Sequence, residues 1–271
     1  MASHTTARVL CARRYPVLMY HKVGYPAACQ DENYLNVSSR SFRRQMQILY
    51  RLGYRTRPLA EIAKALQAGY KLPPRTFAIT FDDGYRCVWE SALPILQELN
   101  FTATMFVVSG CVGSANLWDL DTIHPQAELM DWHEVRQLHA AGWEIGGHTC
   151  SHPRLTLMDA QAAFEEISRN KTHLETQLKC AIHTFCYPYG DTNRQVADLA
   201  RKAGYTAACT IRSGLASTRH NPLLLPRVKV YHEGILDLLY RVLLRPYMPT
   251  FRRSTRAPVG AAAPVSPFAP L

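Results

Sequence analysis

Seven short apolar segments alternate with stretches of helical periodicity along this chain, and that alternation constrains its fold more than any other feature. The segments are residues 16–20, 54–58, 77–81, 101–108, 143–146, 182–187 and 206–210. Helical patterns fill residues 41–52, 59–68, 89–99, 132–141, 160–178 and 193–203. In the first of them Phe42, Met46, Leu49 and Tyr50 recur at three- and four-residue spacing, and Gly53 follows as a stop. Strands separated by helices pair in parallel, because the chain must cross back before each new strand. The expectation is an α/β fold with a mostly parallel sheet, helices outside, and enough strands to close a barrel. A length of 271 residues suits one such domain or two small ones.

Polar residues follow the strands. His21, Asp82, Asp83, His148 and Tyr189 all stand just beyond an apolar segment, where parallel barrels carry their reacting groups. Thr80-Phe81-Asp82-Asp83-Gly84 puts two adjacent carboxylates at the end of a buried strand. Such charges are costly unless paired or bound to a metal. Asp-Gly is also a common turn dipeptide, so this segment alone leaves both readings open. His148-Thr149-Cys150-Ser151-His152 spaces two imidazoles four residues apart, close enough to share one ion. Position 149 is not Glu, which excludes the metalloprotease His-Glu-x-x-His pattern. With Asp83 they make a two-histidine, one-carboxylate set. One divalent cation suits it, zinc first, with manganese, iron, cobalt or nickel compatible.

These two motifs, followed by Phe185-Cys186-Tyr187-Pro188-Tyr189-Gly190, resemble the ordered motif set of the polysaccharide deacetylases, the NodB-homology or carbohydrate esterase 4 family. The resemblance implies a distorted (β/α) barrel of about seven parallel strands that removes acetyl groups from N-acetylated sugars. It implies Asp82 as general base, Asp83, His148 and His152 as metal ligands, and the Tyr189 backbone N–H as an oxyanion donor. The leaving amine also needs an acid. Val17-Leu18-Met19-Tyr20-His21 is similar to the acid-bearing strand of circularly permuted members, which favours His21 over His232. Many members carry an arginine before the Pro-Tyr-Gly motif to orient the base. Cys186 and Tyr187 stand there instead, and Arg227 is a candidate replacement. Cys150 is expected to be a small buried thiol. Tyr85, Trp118 and Tyr189 are candidates for a sugar groove. The implied reaction is metal-dependent deacetylation of an N-acetylhexosamine-containing glycan or glycolipid. The rivals are a catalytically silent carbohydrate-binding protein on the same scaffold and an amidohydrolase of a non-sugar amide.

The remaining sequence frames that domain. Residues 1–14 read as a basic extension, 15–233 as the deacetylase domain, 234–250 as an amphipathic helix and 251–271 as a Pro- and Ala-rich disordered tail. Of the net charge of +10, nine units fall in residues 1–30 and 238–271, which contain four and five Lys or Arg and no acid. That distribution suits a solvated surface or, alternatively, contact with anionic lipid headgroups or acidic glycans, and nothing resembles a nucleic-acid-binding motif. In the helix over 160–178, Glu165, Glu166 and Glu175 are expected to face water. Residues 1–15 hold no apolar stretch long enough for an export signal, so a cytoplasmic location is expected, with the basic ends allowing a peripheral place at the inner face of the membrane.

Overall fold

A computed structural model describes residues 13–25, 35–119, 126–230 and Leu239. His232 and the predicted helix over 234–250, Leu239 excepted, lie outside the described residues, as do residues 1–12 of the basic extension and the whole tail.

Seven parallel strands close a barrel: β1 (Val17–Tyr20), β2 (Thr76–Phe81), β3 (Thr104–Val107), β4 (Glu144–Gly147), β5 (Thr184–Cys186), β6 (Ala207–Ser213) and β7 (Leu225–Lys229). Each pairs with the next, and β7 pairs with β1 through Val228 opposite Leu18. The first strand therefore lies between the second and the last. The helices are α1 (Ser39–Arg51), α2 (Leu59–Ala68), α3 (Leu93–Glu98), α4 (Trp132–Ala140), α5 (Ala160–Leu178) and α6 (Arg194–Lys202). Side-chain caps set the starts of four of these helices. Ser38, Asp131, Asp159 and Asn193 accept backbone N–H bonds in the first turns of α1, α4, α5 and α6.

Strand period two divides the core. Val17, Ala78, Phe106, Cys186, Cys209 and Leu225 form one cluster with Leu59, Ile62 and Leu66 of α2. Leu18, Ile79, Met105, Ile145, Phe185 and Val228 belong to the larger cluster with α1, α4, α5 and α6. Both faces are covered, which is why the strands read as continuous apolar runs rather than alternating ones. Along the first set, the next residues of the same parity are Asp82 and Arg227, two and one steps further up. Helix α2 begins at Pro58, which has no side-chain oxygen to cap it. Thr104 Oγ1 takes the Leu59 N–H and Glu144 takes the Ala60 N–H, so the starts of β3 and β4 supply the missing cap.

The sequence reading predicts the right number of barrel strands but one wrong member. The segment at 54–58 yields only Arg55–Thr56, which pairs with β2 outside the closed ring. The seventh strand is β7, hidden in the sequence by Pro226. That proline lies where the β6–β7 register shifts, between the pairs Cys209–Leu225 and Ser213–Arg227, so its missing N–H removes no regular ladder bond. The pattern over 89–99 is two pieces, a π-helical turn at Val88–Ala92 and then α3, with Pro94 at the second position of α3.

Candidate active site

The carboxyl ends of four strands bring the motifs together. Asp82 and Asp83 follow β2, His148 follows β4, His21 follows β1, and Pro188-Tyr189-Gly190 follows β5. Asp83 Oδ1 lies 3.1 Å from His148 Nε2 and 3.3 Å from His152 Nε2. All three side chains are buried. His148 Nδ1 donates to the Cys186 carbonyl oxygen at 2.6 Å. That bond turns the Nε2 lone pair toward Asp83 and fixes the ring, as a neighbouring carbonyl does for a metal-bound imidazole. Burial alone would raise the Asp83 carboxyl, yet the two histidines outweigh it and hold it well below the usual carboxylate range. Two imidazoles and one carboxylate converging on one point is a donor set for a divalent cation, with positions left open.

The backbone around this point is held in an uncommon conformation. Asp83, Thr149, His152 and Tyr189 all adopt positive φ, at 76°, 65°, 62° and 57°. For a β-branched residue such as Thr149 this is a costly state, and such states persist only where the surroundings over-determine them. Thr149 Oγ1 accepts the His152 N–H, which ties the turn that carries both imidazoles.

Asp82 sits beside the cation site with different partners. Arg227 is fully buried, and its two terminal nitrogens each lie 2.7 Å from an Asp82 oxygen. Burial would raise the Asp82 carboxyl, but the guanidinium outweighs it and holds it below its ordinary value. Cys186 stands where an arginine was expected. Its Sγ lies 3.1 Å from Arg227 Nη2 and 3.5 Å from Asp82 Oδ2, so a thiol fills the space while the guanidinium arrives from β7. His21 Nε2 is 3.7 Å from Asp82 Oδ2. Cys150 is half-buried, with Sγ 3.8 Å from Ser109 Oγ.

A cleft of about 610 Å³ opens over these groups. Tyr85, Trp118 and Tyr189, the three aromatics singled out in the sequence, all line it. Trp118 stacks on His152 at 4.3 Å between centroids, and Tyr189 meets the same ring edge-on at 4.6 Å. Tyr85 is almost wholly enclosed, whereas Tyr189 is 38% exposed, with the Arg154 guanidinium 4.3 Å from its ring centroid. Lys22, Asp119 and Arg154 also line the cleft and carry no motif that would have marked them.

Glu166 corrects the sequence reading. Glu165 is exposed, but Glu166 turns inward and accepts the backbone N–H groups of Cys150 and Ser151, each at 2.9 Å. Glu175 is half-buried and takes the Ile182 N–H and the Lys171 ammonium. Helical periodicity marks the polar face of a helix but not a loop that docks on it.

The family described as polysaccharide deacetylase matches residues 69–208, just over half of the chain. A poly-β-1,6-N-acetyl-D-glucosamine N-deacetylase of Staphylococcus aureus is 27% identical over 226 residues, covering 80% of this chain and 75% of that protein. Among solved structures, the Streptococcus pyogenes deacetylase PplD in complex with acetate superposes with a TM-score of 0.74 at 24% identity, over 85% of this chain and 99% of that one. IcaB from Ammonifex degensii gives 0.72 at 24% identity, over 84% and 97%. The chain belongs to the polysaccharide deacetylase family and is a hydrolase of carbon–nitrogen bonds other than peptide bonds. Asp82, Asp83, His148, His152 and Tyr189 fall inside the matched span. His21 and Arg227 fall outside it, and β1 and β7 carry them to the same cleft.

Proposed function

We propose that this protein is a metal-dependent N-deacetylase of an N-acetylhexosamine-containing glycan. The Staphylococcus aureus relative makes β-1,6-linked N-acetylglucosamine chains the first substrate to test. The observation that carries the reading is the placement of Asp83 within 3.3 Å of both imidazoles, with a separate carboxylate, Asp82, beside them.

Asp83, His148 and His152 would hold one divalent cation, for which zinc suits the donors best. Bound there, the cation supplies Lewis acidity, polarising a carbonyl and raising the acidity of water. Asp82 is the general base and takes the proton from the attacking water. Arg227 keeps that carboxylate ionised and aims it. A carboxylate held so firmly in its charged form is a weak base. The Tyr189 backbone N–H meets the negative charge that develops on the acetyl oxygen. His21, at the Asp82 side of the cleft, protonates the departing nitrogen, because an amide anion is a very poor leaving group. The exposed part of Tyr189 offers an apolar contact for a sugar ring.

Acetate release from a panel of N-acetylated oligosaccharides, including β-1,6-linked N-acetylglucosamine, tests this. Release from at least one glycan by wild type, and its loss in Asp82→Asn, is expected. Binding of those glycans with no acetate release from any of them contradicts the reading and favours the silent binding protein.

A further inference from the structure

The two histidines of the cation site sit on a loop that helix α5 holds from behind. Glu166 Oε2 accepts the N–H groups of Cys150 and Ser151 at 2.9 Å each, and Glu166 Oε1 accepts the Ser151 hydroxyl at 2.9 Å. One turn further along the same helix, Asn170 donates to the Thr149 carbonyl at 2.6 Å and to the Val107 carbonyl at 3.0 Å. The Asn170 side-chain oxygen is itself held by the Tyr205 hydroxyl at 3.1 Å. Asn170 is fully buried. Every residue between His148 and His152 thus has a backbone group bonded to α5. On the other side, Ser109 and Gly110 donate to the Thr149 and Cys150 carbonyls, and a Cβ at Gly110 would lie 2.5 Å from the Cys150 oxygen.

We propose that Glu166 and Asn170 are positioning residues that hold His148 and His152 at cation-binding distance before the ion arrives. Thr149 and His152 occupy the left-handed region, which an unsupported five-residue loop leaves readily. Release of the loop would separate the imidazoles, and the ion would then have to gather them at the expense of its own affinity. A charged acceptor serving three donors is stronger than three neutral bonds and fixes direction as well as distance. Glu166 touches neither cation site nor cleft lining, so its effect acts through the loop. This inference rests on the reading that Asp83, His148 and His152 hold a cation.

Zinc titration of the full-length protein by calorimetry tests it. Glu166→Gln keeps the shape but weakens the acceptor, and zinc affinity is expected to fall about 10- to 100-fold. Acetate release at saturating zinc should recover much more than the affinity does. Ser151→Ala removes a single donor to Glu166, lies at the surface, and is expected to weaken zinc binding a few-fold. The two substitutions should be less than additive, because they break the same contact. Unchanged zinc affinity in both variants, with wild type binding one ion, overturns this inference alone. A lower melting temperature without any change in zinc affinity would mean that Glu166 only stabilises the fold, and that also overturns it. Wild type that binds no zinc, manganese, iron, cobalt or nickel overturns the reading of the site and this inference with it. Should Glu166→Gln fail to fold, Ser151→Ala alone decides.

Discussion

Arg227 grips Asp82 with both terminal nitrogens at 2.7 Å, inside the barrel and away from water. The pair spans 145 residues and joins the last barrel strand to the end of the second. Removing one partner leaves a buried charge uncompensated, which costs about 3–5 kcal/mol. Arg227→Gln is therefore expected to be destabilised on that scale in urea unfolding. Its pH behaviour follows from the direction of the shift. The Asp82 carboxyl is depressed in the fold, so the stability it contributes is complete above the unfolded value near 3.9 and is lost as pH falls through the lower folded value. Without the guanidinium, burial acts with less opposition and the carboxyl rises. The acid limb of kcat/KM is expected to move to higher pH in Arg227→Gln. An unmoved limb would mean that Arg227 only fills space.

Asp82 and Asp83 are neighbours with separable tasks. Asp82→Asn is expected to keep zinc affinity within a few-fold of wild type while turnover falls about 10²- to 10⁴-fold. Asp83→Asn should lose zinc first, because it removes the charged member of the donor set. Paired calorimetry and acetate assays separate the two. Equal turnover by Asp82→Asn and wild type contradicts the assignment of the base.

His21 is tested by changing the leaving group. His21→Gln is expected to lose about 10²- to 10⁴-fold on an N-acetylated glycan, whose amine must be protonated as it departs. An aryl acetate leaves as a phenolate and needs no such proton, so the variant should keep most of its esterase activity. A similar loss on both substrates would assign His21 to binding or to the fold.

At the opposite end of the barrel, Glu144 closes the first turn of α2. It accepts the Ala60 N–H at 3.1 Å and the hydroxyls of Thr104 and Thr184 at 2.8 and 2.7 Å. Glu144→Ala strands those donors and should cost about 1–3 kcal/mol in chemical denaturation. The kcat of the folded variant should stay near wild type, since the cleft lies at the other end of the strands.

Local order was the legible part of the sequence. The boundaries of α2 and α5 emerge as the periodicity predicts, and the polar residues after the strands do share one end of the barrel. Distances along the chain were the illegible part. Only the family resemblance marks Arg227 as a candidate partner for the base; nothing local to it announces the contact with Asp82, which is a product of barrel closure. The strand at Leu225–Lys229 is not among the expected seven, and its Pro226 is tolerated because the register shifts beside it. Glu166 looked like one of three solvent-facing acids, since helical spacing says which face is polar but not what docks on it. The positive φ at Thr149 was equally hidden, for a β-branched residue disfavours that region and the loop contacts enforce it.

In the proposed reaction, catalysis requires a cation held by Asp83, His148 and His152. The most direct test of that requirement is acetate release by wild type before and after exhaustive chelation, followed by stepwise addition of zinc. The account predicts that activity disappears on chelation and returns in proportion to zinc up to one ion per chain, with no return in His148→Ala. Acetate release that continues undiminished in the chelated protein would contradict it.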